Sequence, residues 1–389
     1  MIRLIPHTLL FSLMAVSAFA DGAFFGDPPN ATHPWAIHDV NRPQPVAVIP
    51  GSFSTKDLPG VPPSDAIVLF GGKSEEIEKW CSDKPQAEPT KWVVADGTLQ
   101  CVPGSGYIRT KDEFGDCQLH VEWSEPANIE GKGQGRGNSG VFLMGMVEVQ
   151  VLDSYNNPTY PDGMASAIYG INPPMVNAIR PPGEWQSYDI IFRRPIFKDG
   201  VQVDPGYVTV FVNGVITQDH TPLEGKGGHK SRSNPVQFPE TGPLKLQDHG
   251  NPVRFRNIWL RPLPIRAIEG GDTSHMSEAA TAAKRTEIAR GIRDDAAKLE
   301  GTAKTLRLLE SLSYSENEDA RQAVTASLTT FASEVKGLTP DNLSAKKGDI
   351  MTVAKALVYM DKFNFIPKDF QPKLELDALI KANGWNKKP

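Results

Sequence analysis

GNSGVFLMGMVEVQVLD, from Gly137 to Asp153, contains Val147, Val149 and Val151 alternating with Glu148 and Gln150. That period of two is the mark of a strand with one face in an apolar core and the other turned outward. The valines therefore go to the core, and Glu148 and Gln150 stand on the opposite face, about 7 Å apart. Asp153 joins them only if a bulge shifts the register by one residue. Just upstream, GRGNSGVF supplies glycines that allow close approach to the backbone, together with an Asn–Ser pair, features that a merely wet strand does not need. A row of hydrogen-bonding groups on one sheet face suits sugar hydroxyls, which require paired donors and acceptors.

The surrounding sequence supports the strand reading. In CQLHVEW, Leu119, Val121 and Trp123 alternate with Gln118, His120 and Glu122; YDIIFRR and GYVTVFVNGVIT alternate likewise, and Asn213-Gly214 is a hairpin turn signal. Many short strands separated by Gly and Pro, without a helix-length periodic segment, predict a mainly β antiparallel sandwich over residues 66–265. From residue 266 to 389 the composition turns to Ala, Leu, Lys and Glu. There Ile288, Ile292, Leu299, Leu306 and Leu309 recur near helical periods, so a small C-terminal α-helical domain is expected. Ser277 reads as one helix start and Asp341 or Asn342 as another cap. Residues 21–65 are rich in Pro, Gly and Asn and read as an extended arm.

Residues 1–20 read as a secretory signal peptide, with Arg3, an apolar run from Leu9 to Phe19, and small residues at Ala18 and Ala20. The run is shorter than the ~20 residues of a membrane helix, and no other segment reaches that length, so no membrane span is expected. This places the mature chain, from about Asp21, in the periplasm or outside the cell. A net charge of -5 with scattered Lys and Arg leaves no footprint for nucleic acid. Cys81, Cys101 and Cys117 allow one disulfide and leave one thiol over, though exported proteins also manage without any. The oligomeric state is not readable.

Seven blocks then carry a more specific likeness: GYIRTKDEFGDCQLHVEW, GNSGVFL, EVQVLD, AIYG, GEWQSYDI, VFVNGV and LQDHGNPVRFRNIWLRPL, in that order from Gly106 to Leu263. Together they resemble the 3-keto-disaccharide hydrolase family, long a domain of unknown function. The leader, arm and helical tail fall outside the likeness. It implies a concanavalin-like jelly roll and action on a carbohydrate substrate, a glycoside whose C3 hydroxyl an upstream sugar 3-oxidoreductase has made a ketone.

A C3 ketone acidifies the C2 proton, so a carboxylate or imidazole can remove it and the C1 aglycone can leave by β-elimination, with water adding back. Such chemistry needs a base and a donor set for the enolate oxygen. Glu148 is the first candidate for base or metal-anchoring carboxylate. His249, in LQDHG, is the candidate proton shuttle, because imidazole titrates near working pH. Asp248 beside it and Asn138, Gln150 and Tyr169 suit substrate hydroxyls. Arg109, Arg254 and Arg256 could stabilise enolate charge. Trp185 reads as core before sugar platform, and His120 with Glu122 either neighbours Glu148 or forms a surface pair. No HExxH or Cys-x-x-Cys pattern supports zinc, and the sequence names no definite cofactor; a divalent cation held by carboxylates and carbonyls leaves only a weak signature and stays open.

Two rivals belong to other classes. A jelly roll can be a non-catalytic carbohydrate-binding module. Glu148 and Asp153 could also be the acid and nucleophile of a retaining glycosidase, since E-x-Q-x-x-D is similar to the E-x-D-x-x-E strand of laminarinase-like jelly rolls. Gln150 there replaces the central acid, and retention wants carboxyls about 5 to 5.5 Å apart.

Overall fold

The computed structural model describes residues 26–225, 227–231, 236–271 and 275–386, so the expected leader and its cleavage point lie outside the described residues. Two compact units are present: Val46–Pro264, and a second built from the chain up to Pro45 together with everything from Ile265 onward. The Pro-rich arm is thus shared, its residues 46–65 belonging to the first unit.

The first unit is an antiparallel jelly-roll sandwich. Among the described residues its larger, eight-stranded sheet orders Val215–Pro222, Tyr207–Val212, Gln186–Arg193, Cys117–Ser124, Arg254–Pro262, Thr98–Gln100 and Val93–Ala95, with Ile67–Phe70 also paired to Arg254–Pro262. The five-stranded sheet orders Trp80–Ser82, Ile108–Phe114, Gly242–Leu246, Ser139–Leu143 and Val147–Val151. Alternation decides what lies between them. Leu119, Val121, Trp123, Tyr188, Ile190 and Phe192 from one sheet meet Val141, Val147, Val149 and Val151 from the other, all at 0% exposure. Burying each such side chain is worth about 1.5–3 kcal/mol. The Tyr188 hydroxyl crosses the core and donates to the Gln150 carbonyl at 2.7 Å, which ties the Val147–Val151 edge strand to the opposite sheet. Asn213 and Gly214 both have positive φ, 51° and 83°, at the hairpin that pairs Val212 with Val215, the geometry an Asn-Gly turn supplies without strain.

On the outer face of the larger sheet, arm residues 51–60 are strapped down by a buried charge hub. Glu122 accepts from Ser54 Oγ (2.7 Å), Asn257 Nδ2 (2.6 Å), Arg256 Nε (2.7 Å) and Gly60 N (3.2 Å). His120 joins it, with Nδ1 2.7 Å from Asp189 Oδ1 and Nε2 3.4 Å from Glu122 Oε1, its ring stacked on Trp259. His120 and Glu122 therefore neither neighbour Glu148 nor form a surface pair. Their strand belongs to the opposite sheet, and the arm covers them. All three cysteines are buried and free, so no disulfide forms.

In the second unit the helices are Glu278–Ala296, Gly301–Leu312, Glu318–Lys336, Pro340–Ala345, Lys347–Lys362 and Gln371–Ala382. Ser277 and Asn317 cap two of them, accepting from Ala280 N (3.3 Å) and Ala320 N (2.8 Å). Leu299 falls in the break between the first two helices instead of on a helical face. Asp341 and Asn342 are not caps: Pro340 occupies the first helical position, where its fixed φ and missing N–H fit, and Thr339 precedes it. No helix among the described residues is long and apolar enough to cross a membrane.

The hub gives the strap a pH window. Burial alone would lower the His120 pKa, but its bonds to Asp189 and Glu122 outweigh that and lift it from 6.5 to about 9. Burial would likewise raise Glu122, yet its four side-chain donors, His120, Ser54, Asn257 and Arg256, bring it from 4.5 down to about 2. The His120 contribution is complete below pH 6.5 and lost as pH rises through 9; that of Glu122 is complete above 4.5 and lost as pH falls through 2. The arm is therefore held hardest between pH 4.5 and 6.5. Limited proteolysis should cut within residues 46–64 faster at pH 10 than at pH 6, and Glu122→Ala, which orphans buried donors, should cost about 3–5 kcal/mol in denaturant unfolding.

Candidate active site

The outer face of the five-stranded sheet holds a cleft of about 470 Å³ lined by Glu148, Gln150, Asn138, Tyr169 and His249 together with Tyr107, Gln134, Phe142, Gln247 and His229. Strand parity builds it. With Val147, Val149 and Val151 inward, Glu148 and Gln150 face out, and the register sets Phe142 beside Glu148 and Gly140 beside Gln150 with no bulge between them. The next strand adds Gln247, whose N–H donates to the Gly140 carbonyl at 3.0 Å. Beyond the sheet edge, Tyr169 is held by its N–H to the Glu148 carbonyl at 3.1 Å.

Gly140 is the gap in this floor. Its φ is ordinary, so backbone freedom is not the reason for glycine. A Cβ there would run into the Glu148 carboxyl and come within 2.9 Å of the Phe142 ring. The carboxyl thus lies over the glycine, partly buried, with no hydrogen-bond partner among the described residues. Burial without compensation pushes its pKa from 4.5 up to about 8.

Neutral groups surround it. Gln150 Nε2 donates to Asn138 Oδ1 (3.2 Å), and Asn138 Nδ2 donates to the Gln134 backbone carbonyl (2.7 Å) and to Gln134 Oε1 (3.3 Å), which ties the three side-chain amides together. Gln247 Nε2 donates to the Tyr107 hydroxyl at 2.7 Å, while Gln247 Oε1 is buried without a partner among the described residues. A third row runs Tyr160 Oη to Tyr169 Oη (3.0 Å) and Tyr169 Oη to His229 Nδ1 (3.1 Å). The arrangement offers one carboxyl of high proton affinity amid uncharged donors and acceptors.

Of the residues picked from sequence, Glu148, Gln150, Asn138, Tyr169 and His249 meet here and the others do not. Asp153 is 1% exposed and gripped bidentately by Arg136, at 2.6 and 2.8 Å, because no bulge brings it round to the Glu148 face. Both its oxygens are engaged, which leaves it unfit as a nucleophile. Asp248 accepts from Gly106 N (2.8 Å) and Gly250 N (2.9 Å), so it shapes the turn that carries His249 instead of facing substrate. Arg109 points to the same sheet face, three strands from Glu148, and lies 3.7 Å from Asp83. Arg256 and Arg254 lie on the opposite sheet. There Arg256 binds Glu122, and both guanidiniums sit over the partly buried Trp185, at 4.1 and 5.4 Å.

Tyr107, Gln134, Phe142, His229 and Gln247 were not singled out from sequence. Phe142 and Gln247 had a signal, since each alternates with buried neighbours, Val141 and Leu143 in the first case and Leu246 in the second. His229 had only its Gly227-Gly228 lead-in, where a Cβ on Gly227 would collide with the Tyr169 carbonyl. Among the described residues no group of three His, Cys, Asp or Glu side chains is placed to hold a metal ion.

Residues 65–261 match the model of the 3-keto-alpha-glucoside-1,2-lyase-like domain. The chain belongs to that family. Across 241 residues it is 25% identical to a 3-keto-disaccharide hydrolase of Bacteroides thetaiotaomicron, over 51% of this chain and 78% of the relative. A solved candidate glycosyl hydrolase of Parabacteroides distasonis ATCC 8503 is 44% identical, superposes with a TM-score of 0.53, and covers 57% of this chain and 93% of its own. The family segment contains the whole sandwich cleft, whereas the helical unit lies outside it.

Gly140→Ala should leave the sandwich folded at a cost of about 1–3 kcal/mol. It should also push the Glu148 carboxyl toward solvent, so that its pKa, followed by carboxyl NMR, falls from about 8 back toward 4.5. An unchanged titration would mean that the carboxyl does not lie over the glycine.

Proposed function

We propose that the protein is an exported enzyme that cleaves 3-keto-glycosides, 3-keto-disaccharides among them, by removing the C2 proton and expelling the C1 aglycone. The observation that carries this reading is the Glu148 carboxyl: unpartnered, raised to about 8 by burial, and surrounded by neutral hydrogen-bonding side chains. Removing a carbon-bound proton next to a ketone calls for a base stronger than an ordinary carboxylate. A carboxylate desolvated by burial is one. The amide chain Gln134–Asn138–Gln150 and the open acceptor Gln247 Oε1 suit sugar hydroxyls, since a ligand O–H is what an unpartnered buried oxygen lacks. His249, on the exposed turn at the rim, suits proton exchange with solvent.

The family membership and the hydrolase name of the Bacteroides relative support the same substrate class. An oxidised substrate must come from a sugar 3-oxidoreductase acting earlier, and the leader-like start of the chain supports export to the periplasm or beyond. Retaining glycosidase chemistry is disfavoured, because Arg136 holds both oxygens of Asp153, the second carboxylate that it would need.

Purified protein should cleave a 3-keto-disaccharide and leave its unoxidised parent intact, and Glu148→Gln should lower turnover by about 10²–10⁴ while the melting temperature holds. Because the active form is the carboxylate, kcat/KM should rise about tenfold per pH unit and level off near pH 8. Equal turnover of oxidised and unoxidised substrates, or an active Glu148→Gln protein, would contradict the reading.

A further inference from the structure

The cleft has a direction. Glu148 stands between two phenols: Tyr107 lies toward the middle of the five-stranded sheet with Gln247, and Tyr169 lies beyond its edge, bonded through its backbone to Glu148 itself. In a pyranose, C1 and C3 are the two ring neighbours of C2. A base that faces C2 therefore has the ketone on one side and the aglycone on the other, and a donor is needed at each. Both phenols line the cleft with Glu148, one from the sheet interior and one from beyond its edge, but they are wired differently.

Tyr107 Oη accepts the Gln247 amide at 2.7 Å, so its own proton is left to donate from a fixed position. Among the described residues no titratable group is hydrogen-bonded to that hydroxyl. Tyr169 Oη is bonded instead to two groups that exchange protons, the Tyr160 hydroxyl at 3.0 Å and His229 Nδ1 at 3.1 Å. His229 is exposed to solvent. Glycines hold this second row in place: a Cβ on Gly163 would strike the Tyr160 ring, and one on Gly227 would strike the Tyr169 carbonyl.

We infer that the substrate binds with its C3 ketone at Tyr107 and its aglycone at Tyr169, and that Tyr169 is the catalytic acid that protonates the departing oxygen, resupplied through His229. This rests on the reading of the cleft as a 3-keto-glycoside site. The Glu148 carboxylate takes the C2 proton, and the C2–H electron pair becomes the enolate, whose C3 oxygen accepts the Tyr107 hydrogen bond. The enolate pair then forms C1=C2 while the C1–O bond breaks, and the aglycone oxygen takes the Tyr169 proton. Water returns the hydroxyl to C1 by the reverse path: the hydrogen-bonded Tyr169–His229 pair, one proton short after the aglycone has left, accepts the water proton, and protonated Glu148 restores C2–H. An enolate oxygen needs a stationary donor and a leaving oxygen needs a transferable proton, which is why the two phenols are not interchangeable.

The test is the leaving-group dependence of Tyr169→Phe. With 4-nitrophenyl 3-keto-glucoside, whose phenolate departs unprotonated, the single-turnover rate of aglycone release should stay within about twofold of wild type; with methyl 3-keto-glucoside it should fall about 10² or more. Tyr107→Phe should slow both substrates alike. His229→Gln, a change on an exposed loop, should repeat the Tyr169 selectivity in weaker form and serves if Tyr169→Phe is unstable. Equal loss on both glucosides in Tyr169→Phe would overturn the assignment, as would leaving-group selectivity in Tyr107→Phe, which would reverse the orientation. Wild-type inactivity on both glucosides would instead remove the 3-keto-glycoside reading beneath it.

Discussion

Three buried valines and one tyrosine hydroxyl govern the rest of the site. Val147, Val149 and Val151 are wholly enclosed, and Tyr188 fixes the carbonyl of Gln150 from across the core. A shift of one residue would turn every side chain of that strand to the other face. Three valines would then meet solvent, at a cost of about 1.5–3 kcal/mol each, and two polar side chains would enter the core. Backbone bonds hold the strand on both sides, to Ser139–Leu143 and, through Gln150 N to the Ala167 carbonyl (3.0 Å) and Tyr169 N to the Glu148 carbonyl (3.1 Å), to residues 166–169, while core packing selects the face that each side chain takes. Glu148 faces the cleft because the valines cannot.

The two outer faces of the sandwich show how differently a carboxylate can be handled. On the larger sheet Glu122 is buried among His120, Arg256, Asn257 and Ser54, and it is held far below the usual carboxylate range. Both its oxygens are engaged under the arm, so it serves as an anchor and is covered from substrate. Over the smaller sheet Glu148 has burial without donors, and its proton affinity rises. Both sit on strands at outward positions. What separates structural anchor from reactive group is the set of neighbours that each sheet supplies, and those neighbours come from distant parts of the chain.

That contrast explains how much was legible in the sequence. Period-two alternation is local, so the strands, the inward valines and the outward Glu148 and Gln150 could be read directly, as could the Asn213-Gly214 hairpin. The blocks around Asn138, Tyr169 and His249 led to the cleft through their family likeness. Strand order is not local: nothing in CQLHVEW reveals that His120 and Glu122 lie on the opposite sheet under residues 51–60. Nor does spacing show that Asp153 would be captured by Arg136, seventeen residues earlier. Among the helices, Ser277 was readable as a cap because its hydroxyl acts within one turn. Pro340 overrode Asp341 and Asn342 because a ring-fixed φ at the first helical position outweighs a side-chain acceptor placed one or two residues later.

Proton abstraction at C2 by Glu148 is the central claim, and cleavage of a 3-keto-disaccharide in D₂O probes it most directly. If a carboxyl takes the C2 hydrogen and exchanges it with solvent before the ring is rehydrated, the released 3-keto sugar carries deuterium at C2 at the earliest times that NMR can follow, before free sugar exchanges unaided, and a substrate deuterated at C2 reacts more slowly. Product that keeps protium at C2, formed from a substrate whose deuteration at C2 leaves the rate unchanged, would contradict the account, because the glycosidic bond would then have broken without that proton ever leaving.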